Sequence, residues 1–112
     1  MNIPKLLNEA AAHLSAGRPA DADAVLRRIL KKQPKHLDAL NLAGVAAYEL
    51  KQFERARTLL TRVVDREPSR AGAQLNLGAV HNAAADYTAA ERHYRAALRA
   101  DPNNATALNN LG

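Results

Sequence analysis

Residues 71–104 read "AGAQLNLGAVHNAAADYTAAERHYRAALRADPNN", and the fold turns on how this stretch relates to its flanks. Leu75, Leu77 and Val80, then Ala90, Tyr94, Ala97 and Leu98, recur at helical spacing on either side of the Ala85-Asp86 junction. Pro102 closes the second run, because proline cannot continue a helix. Two short helices are therefore expected. Sliding the chain along itself until Pro34 meets Pro68 also brings Pro68 onto Pro102, aligns Ala22, Ala56 and Ala90 in a second column, and Gly44, Gly78 and Gly112 in a third. A fixed period in this range is the signature of a stacked array, in which each segment buries its apolar face on the next. The repeats are 3–36, 37–70 and 71–104, with 105–112 beginning a fourth, and 1–112 is expected to form one all-α domain. Helices are expected at 4–16, 20–33, 37–50, 53–66, 71–84 and 87–100, with a stub from 105.

Composition agrees with helices. Apolar residues are 47% of the 112 but aromatics only 4%, and much of the apolar share is alanine, the best helix former, whereas strands favour β-branched and aromatic residues. The absence of cysteine excludes disulfides and thiolate metal sites. The opening "MNIPKLLNEAAAHL" is broken by Glu9 and makes a poor signal peptide, and no run has the apolar character of a membrane span. A cytoplasmic setting is the expectation. The four histidines, His13, His36, His81 and His93, show no His-x-x-x-His spacing. Asp21 and Asp23 open a helix, where negative charge is stabilised by the dipole. With no phosphate-cradling glycine loop and no paired serine and histidine with a plausible orienting group, the expectation is no catalysis, no metal and no cofactor.

Residues Gln74-x2-Leu77-Gly78-x2-His81, then Ala90-x3-Tyr94, then Pro102, resemble the tetratricopeptide repeat, whose pattern is W-x2-L-G-x2-Y, A-x3-F and P. The second repeat offers Leu40-x2-Ala43-Gly44-x2-Ala47, Ala56-x3-Leu60 and Pro68. The first offers Leu6-x2-Glu9-Ala10-x2-His13, Ala22-x3-Leu26 and Pro34, and departs most in its first helix. The resemblance implies a right-handed α-solenoid of antiparallel helix pairs, with first helices lining a concave face and second helices mostly outside. Gly44 and Gly78, expected to face Ala56 and Ala90, would let paired backbones approach closely, so that a bulky residue there overpacks.

Charge divides along the same line. The net charge is +5, and of sixteen lysines and arginines only Lys5 falls on an expected first helix. The basic surface is thus expected to be a solvated convex face. Nucleic acid is not the expected partner, since Phe53, Tyr87 and Tyr94 fall in packing columns and leave little for base stacking. On the inner face, Asn8, Asn76 and Asn110 share one register. A carboxamide donates and accepts, and so matches the peptide group of an extended chain. The row is similar to the asparagine ladder of O-GlcNAc transferase superhelices, with a break at Leu42. The neighbouring Asn41 lies about 100° further round the helix. An alternative is that these asparagines satisfy neighbouring helix ends. Asp38, Asn41, Val45 and Tyr48 in the second repeat and Asn82 in the third complete the candidate peptide-binding set. Tyr48 fits either an anchor for a partner or packing between repeats. No lysine and arginine set stands there to clamp a terminal carboxylate.

The expected function is a protein-interaction scaffold that holds an extended or helical segment of a partner in the groove. The alternative is a substrate-selecting module of a longer enzyme. "IPKLLNEAAAHLSAGRPADADAVLRRILKKQP" resembles the start of bacterial proteins in which such repeats precede a glycosyltransferase domain of the O-GlcNAc transferase type. Leu98 would face only a stub carrying Leu108 and Leu111, so self-association through the C-terminal end is also expected.

Overall fold

The computed structural model describes residues 1–111; Gly112, the third member of the glycine column, lies outside them. The described residues are all-α. The helices are α1 (Ile3–Ser15), α2 (Pro19–Lys32), α3 (Leu37–Glu49), α4 (Phe53–Arg66), α5 (Ala71–Ala83), α6 (Tyr87–Ala100) and α7 (Ala105–Leu111). The expected bounds hold to within one residue at each end.

Capping explains why these boundaries recur. Asn2, His36 and Asn104 stand in one column of the repeat, and each accepts the backbone N–H three residues on, from Lys5, Ala39 and Ala107 respectively. Arg70 occupies the same column before α5 and gives no side-chain cap. Each helix pair turns through a left-handed residue, Gly17 at φ 74°, Lys51 at 62° and Ala85 at 61°, again one period apart. The next N–H then reaches back five residues in every case, Arg18 to His13, Gln52 to Ala47 and Asp86 to His81, at 2.8–2.9 Å. This is the Schellman closure, which satisfies carbonyls that a helix end would otherwise leave bare.

The chain divides into two compact units, 1–59 and 60–112, with α4 running from the first into the second. In the N-terminal unit α1 packs on α2 and α2 on α3. Its core is Leu6, Ala10, Ala22, Leu26, Ile29, Ala39, Ala43 and Ala46, supported by Ile3, Val25 and Leu59 among others. Alanines at the crossing points let the helices lie close, while Leu26 and Ile29 supply the bulk that fills between them. In the C-terminal unit α5 packs on α6 and α6 on α7. Among its buried residues are Ala73, Leu77, Val80, Ala90, Tyr94, Ala97 and Ala107. The atoms nearest the open side of Gly78 are those of the Tyr94 ring. A Cβ on Gly78 would come within 2.6 Å of Tyr94 Cε1 and 2.7 Å of Cδ1. Gly44 and Ala56 are buried in their own repeat. Pro34, Pro68 and Pro102 are exposed in the turns after α2, α4 and α6, where they end the helices.

Among the described residues, no helix is long and apolar enough to cross a membrane. No group of three metal-ligating side chains converges among them either.

Candidate functional site

First helices carry the candidate groove residues, so the exposure of each decides what it can offer. Asn8 on α1, Asp38 on α3, Asn82 on α5 and Asn110 on α7 are exposed. Asn41, Val45 and Tyr48 on α3 and Asn76 on α5 are half-buried. The Tyr48 ring meets Phe53 edge-on, with centroids 5.7 Å apart, and so serves packing at the α3–α4 turn. Asn41 Oδ1 is buried without a hydrogen-bond partner, which makes Asn41 a residue with an unmet acceptor rather than a free arm of a ladder.

Two of the candidates come together. Asn82 and Asn110 both line an open cleft of about 250 Å³ in the C-terminal unit, with Tyr87, Ala90, Tyr94, Leu111 and the ion-paired Glu91 and Arg95 also in its wall. Asn76 is not in that wall. Tyr87 differs from its expected place in a packing column: it is 66% exposed. Its counterpart Phe53 has Tyr48 to pack on, whereas the residue at the Tyr48 register here is Asn82. The exposed phenol beside two carboxamides gives the cleft one apolar face with a polar tip and two two-way hydrogen-bonding groups.

Behind α5 lies a polar cluster that periodicity alone did not reveal. Gln74 is buried, at 7% exposure; its Nε2 donates to the Pro68 carbonyl at 3.0 Å, which fixes the amide so that Oε1 faces His93. His93 Nδ1 then donates to that Oε1 at 2.9 Å. The His93 ring stacks on His81, with centroids 5.2 Å apart and planes 6° from parallel. Burial, then the neighbouring His81 and Arg92, push the His93 pKa down to about 4. His93 is thus held neutral, and the cluster is a structural network rather than a proton-transfer site. The signal available in sequence was a set of three: Leu40, Ala47 and Leu59 of the second repeat become Gln74, His81 and His93 in the third. His13, in the His81 register of the first repeat, instead accepts from Arg18 Nε at 3.2 Å on the surface.

At the end of the unit α7 lies against α6 with Ala107 fully buried, Leu111 half-buried and Leu108 52% exposed. Ala107, not Leu108, therefore makes the close contact.

The family model for the tetratricopeptide repeat matches residues 13–80, and a second model of the same description matches residues 71–112. The chain belongs to the tetratricopeptide repeat family. A human relative, FK506-binding protein-like, is 38% identical over 73 residues, which are 65% of this chain and 21% of that protein. The chain thus spans about a fifth of that relative's length. Among solved structures, the tetratricopeptide fold here matches a Thermobaculum terrenum O-GlcNAc transferase variant at TM-score 0.93 and 28% identity, covering 97% of this chain and 21% of that one. It also matches the first tetratricopeptide domain of Spaghetti (RPAP3), bound to the HSP90 peptide SRMEEVD, at TM-score 0.87 and 23% identity, covering 95% and 84% of the two chains. A third match is the Sgt2 domain of Aspergillus fumigatus, at TM-score 0.88 and 22% identity over 96% and 73%. Family membership and these likenesses establish an all-α helical-repeat fold.

Proposed function

We propose that this chain is a protein-interaction scaffold that grips an extended or helical segment of a partner along its first helices, in one array of three repeats and the start of a fourth. The observation that carries this reading is the cleft where Asn82 and Asn110 stand beside the exposed Tyr87. Carboxamides hold a main chain without reading its side chains, and the phenol adds an apolar seat. The related RPAP3 fold holds a heptapeptide, which supports the use of such a surface for peptides. No strong preference for an acidic C-terminus is expected, because Arg95 in the cleft wall is already paired to Glu91. The test is capture of partner peptides from a random library, repeated with Asn82→Ala and Asn110→Ala. Each substitution should weaken captured peptides by about 1 kcal/mol, roughly fivefold. Unchanged binding in the double variant would refute the groove reading.

The O-GlcNAc transferase match favours a second reading, in which this array selects acceptors for a catalytic domain elsewhere in a longer protein. Sequencing the gene downstream of codon 112 distinguishes the two. A glycosyltransferase domain in frame supports the second reading, and an immediate stop codon refutes it.

A further inference from the structure

The chain's surplus charge sits in one place. Residues 24–37, "AVLRRILKKQPKHL", hold five cations, Arg27, Arg28, Lys31, Lys32 and Lys35, and no acid. The remaining eleven lysines and arginines are balanced by eleven aspartates and glutamates, so the whole net charge of +5 belongs to the later turns of α2 and the turn after it. Arg27 donates Nε to Asp23 Oδ2 at 2.7 Å. The side chains of Arg28, Lys31, Lys32 and Lys35 are exposed and form no ion pair among the described residues.

The equivalent turns are not built this way. Gln33 stands in the column of Glu67 and Asp101, and Lys35 in that of Ser69 and Asn103. Glu67 accepts from Arg70 Nη1 at 3.0 Å, and Asp101 Oδ1 accepts the Asn103 N–H at 3.3 Å, so each later turn engages an acid of its own. A basic last turn suits the helix dipole and accounts for Lys31 and Lys32, but not for Lys35, which lies beyond the helix, or for a glutamine in the acid's column. Exposure is also a property of these columns: Arg62, Asp65, Arg66 and Ser69, one period after Arg28, Lys31, Lys32 and Lys35, are exposed as well. An open hollow of about 400 Å³ lies at the turn, lined by Gln33, Pro34, Lys35 and His36. His36 uses Nδ1 to cap α3, which leaves the proton of the neutral ring on Nε2. The turn thus offers donors and positive charge without a counter-charge.

We propose that the exposed side of α2 and the turn at 33–36 dock an acidic segment of another protein, whose aspartate and glutamate side chains meet Arg28, Lys31, Lys32 and Lys35. Charge complementarity makes the occupant anionic, and the residue types choose among anions. Three of the four open cations are lysines, point charges on flexible stems that follow carboxylates at uneven spacing, whereas forked recognition of phosphate relies on arginine, of which only Arg28 is open. Residues 24–37 include no Phe, Tyr or Trp on which a base could stack, and none of the exposed large apolar side chains lies there to enter a lipid surface. A second copy of this chain is a poor occupant, because its closest acids with no cation between them, Asp21 and Asp23, are engaged by Arg18, Arg27 and Arg55. None of the docking residues lines the asparagine cleft, which belongs to the C-terminal unit.

The test uses the 112-residue chain and a labelled, end-blocked decaglutamate as the probe, read by anisotropy. Measurement at about 0.15 M salt leaves charges more than about 8 Å apart largely screened, so that only local ones count. Weak, saturable binding is expected, and Lys31→Glu, Lys32→Glu and Lys35→Glu together should reduce it at least about tenfold. Lys5→Glu, Arg92→Glu and Arg99→Glu, at exposed cations of α1 and α6, change the net charge equally and should reduce it less than about twofold. Glutamates in a last turn oppose the helix dipole, so the three lysines of the patch are also changed to Gln; this milder set should weaken binding about fivefold, and it stands as the test if the Glu set unfolds. Equal loss in the two Glu sets, or absence of saturation, overturns the proposal. A single-stranded oligonucleotide or a phosphatidylserine vesicle bound more tightly than the probe, with the same loss in the Gln set, overturns it in favour of nucleic acid or membrane. Binding lost with Asn82→Ala but kept in the Gln set overturns it in favour of the cleft.

Discussion

The second and third repeats fill equivalent positions with opposite chemistry. Leu40, Ala47 and Leu59 are apolar, and Leu40 and Ala47 are almost wholly buried. One period later, Gln74, His81 and His93 make a hydrogen bond and a ring stack within the C-terminal unit. A buried polar group costs stability unless it is paired, so such a replacement works only as a set. Gln74 has both ends engaged, by Pro68 and His93, which is why a glutamine can sit where a leucine otherwise would. The larger rings of this repeat also need room. The backbone at Gly78 supplies it, by letting Tyr94 lie where a side chain would stand.

The strongest way to break this contrast is to remove that room. Gly78→Val should overpack Tyr94 and cost about 2–3 kcal/mol, more than any gain from losing a helical glycine. In a thermal melt this would appear as a fall of roughly 10 °C or more. Tyr94→Leu, which restores the residue type found at Leu60, should make Gly78→Val markedly less harmful in the double variant. Strict additivity of the two would mean that Tyr94 is not what excludes a side chain at Gly78.

Acid should separate the two units next. His93 is neutral in the folded chain with a pKa of about 4, below the ordinary histidine value of 6.5, so the unfolded chain takes up the proton first. Its contribution is complete above pH 6.5 and is lost as the pH falls through that value toward about 4. The shift would correspond to about 3 kcal/mol if His93 were fully enclosed; half-exposed and screened, it should give about 1–2 kcal/mol. In the N-terminal unit the titrating group is Asp23. Burial raises its pKa, but the hydrogen bonds and charges of Arg27 and Arg55 outweigh that and hold it below the usual aspartate value. Its stabilisation persists above the ordinary aspartate range and is lost only as the pH falls through the lowered value. Hydrogen exchange followed from about pH 7 down to about 4.5, corrected for intrinsic rates, should therefore show protection falling in α5 and α6 before α2. His93→Leu together with Gln74→Leu, which restores the apolar pattern, should abolish that early loss. Equal losses in both units would contradict the assignment.

How much of this was legible follows from which forces have a period. Helix positions, the proline stops and the small-residue columns all share one period, and the helices lie within one residue of expectation. The site was less legible because side-chain partners do not share that period. Asn41 sits on the expected helix, yet its carbonyl is buried and unpaired rather than offered to a ligand. Tyr48 and Phe53 satisfy one another, whereas Tyr87, in the Phe53 column, has an asparagine at the partner register and projects to solvent. Asn82 and Asn110 came together because α5, α6 and α7 bring their positions to one cleft, a relation between helices that no single register expresses.

The smallest expected effect tests the backbone rather than the side chains. Gly17, Lys51 and Ala85 close three successive helix pairs at the same left-handed φ, yet only the first of them is glycine. A side chain in this conformation costs about 1–2 kcal/mol, while glycine carries an offsetting entropy cost of about 0.5–1 kcal/mol in the unfolded chain. Ala85→Gly should therefore stabilise by about 0.5 kcal/mol, and Gly17→Ala should destabilise by a similar amount. Ala85 is exposed and has no packing to lose, so the change isolates the dihedral preference. Lys51→Gly should show the same gain, because Lys51 is also exposed at the equivalent turn. Denaturant midpoints measured on the three variants at one pH decide the matter. Gains at 51 and 85 with a loss at 17 would show that the same turn geometry is retained by tertiary packing where residue type opposes it. No gain at either position would mean that these turns relax away from positive φ in solution, and that the closure at Gly17 is the only one the local sequence enforces.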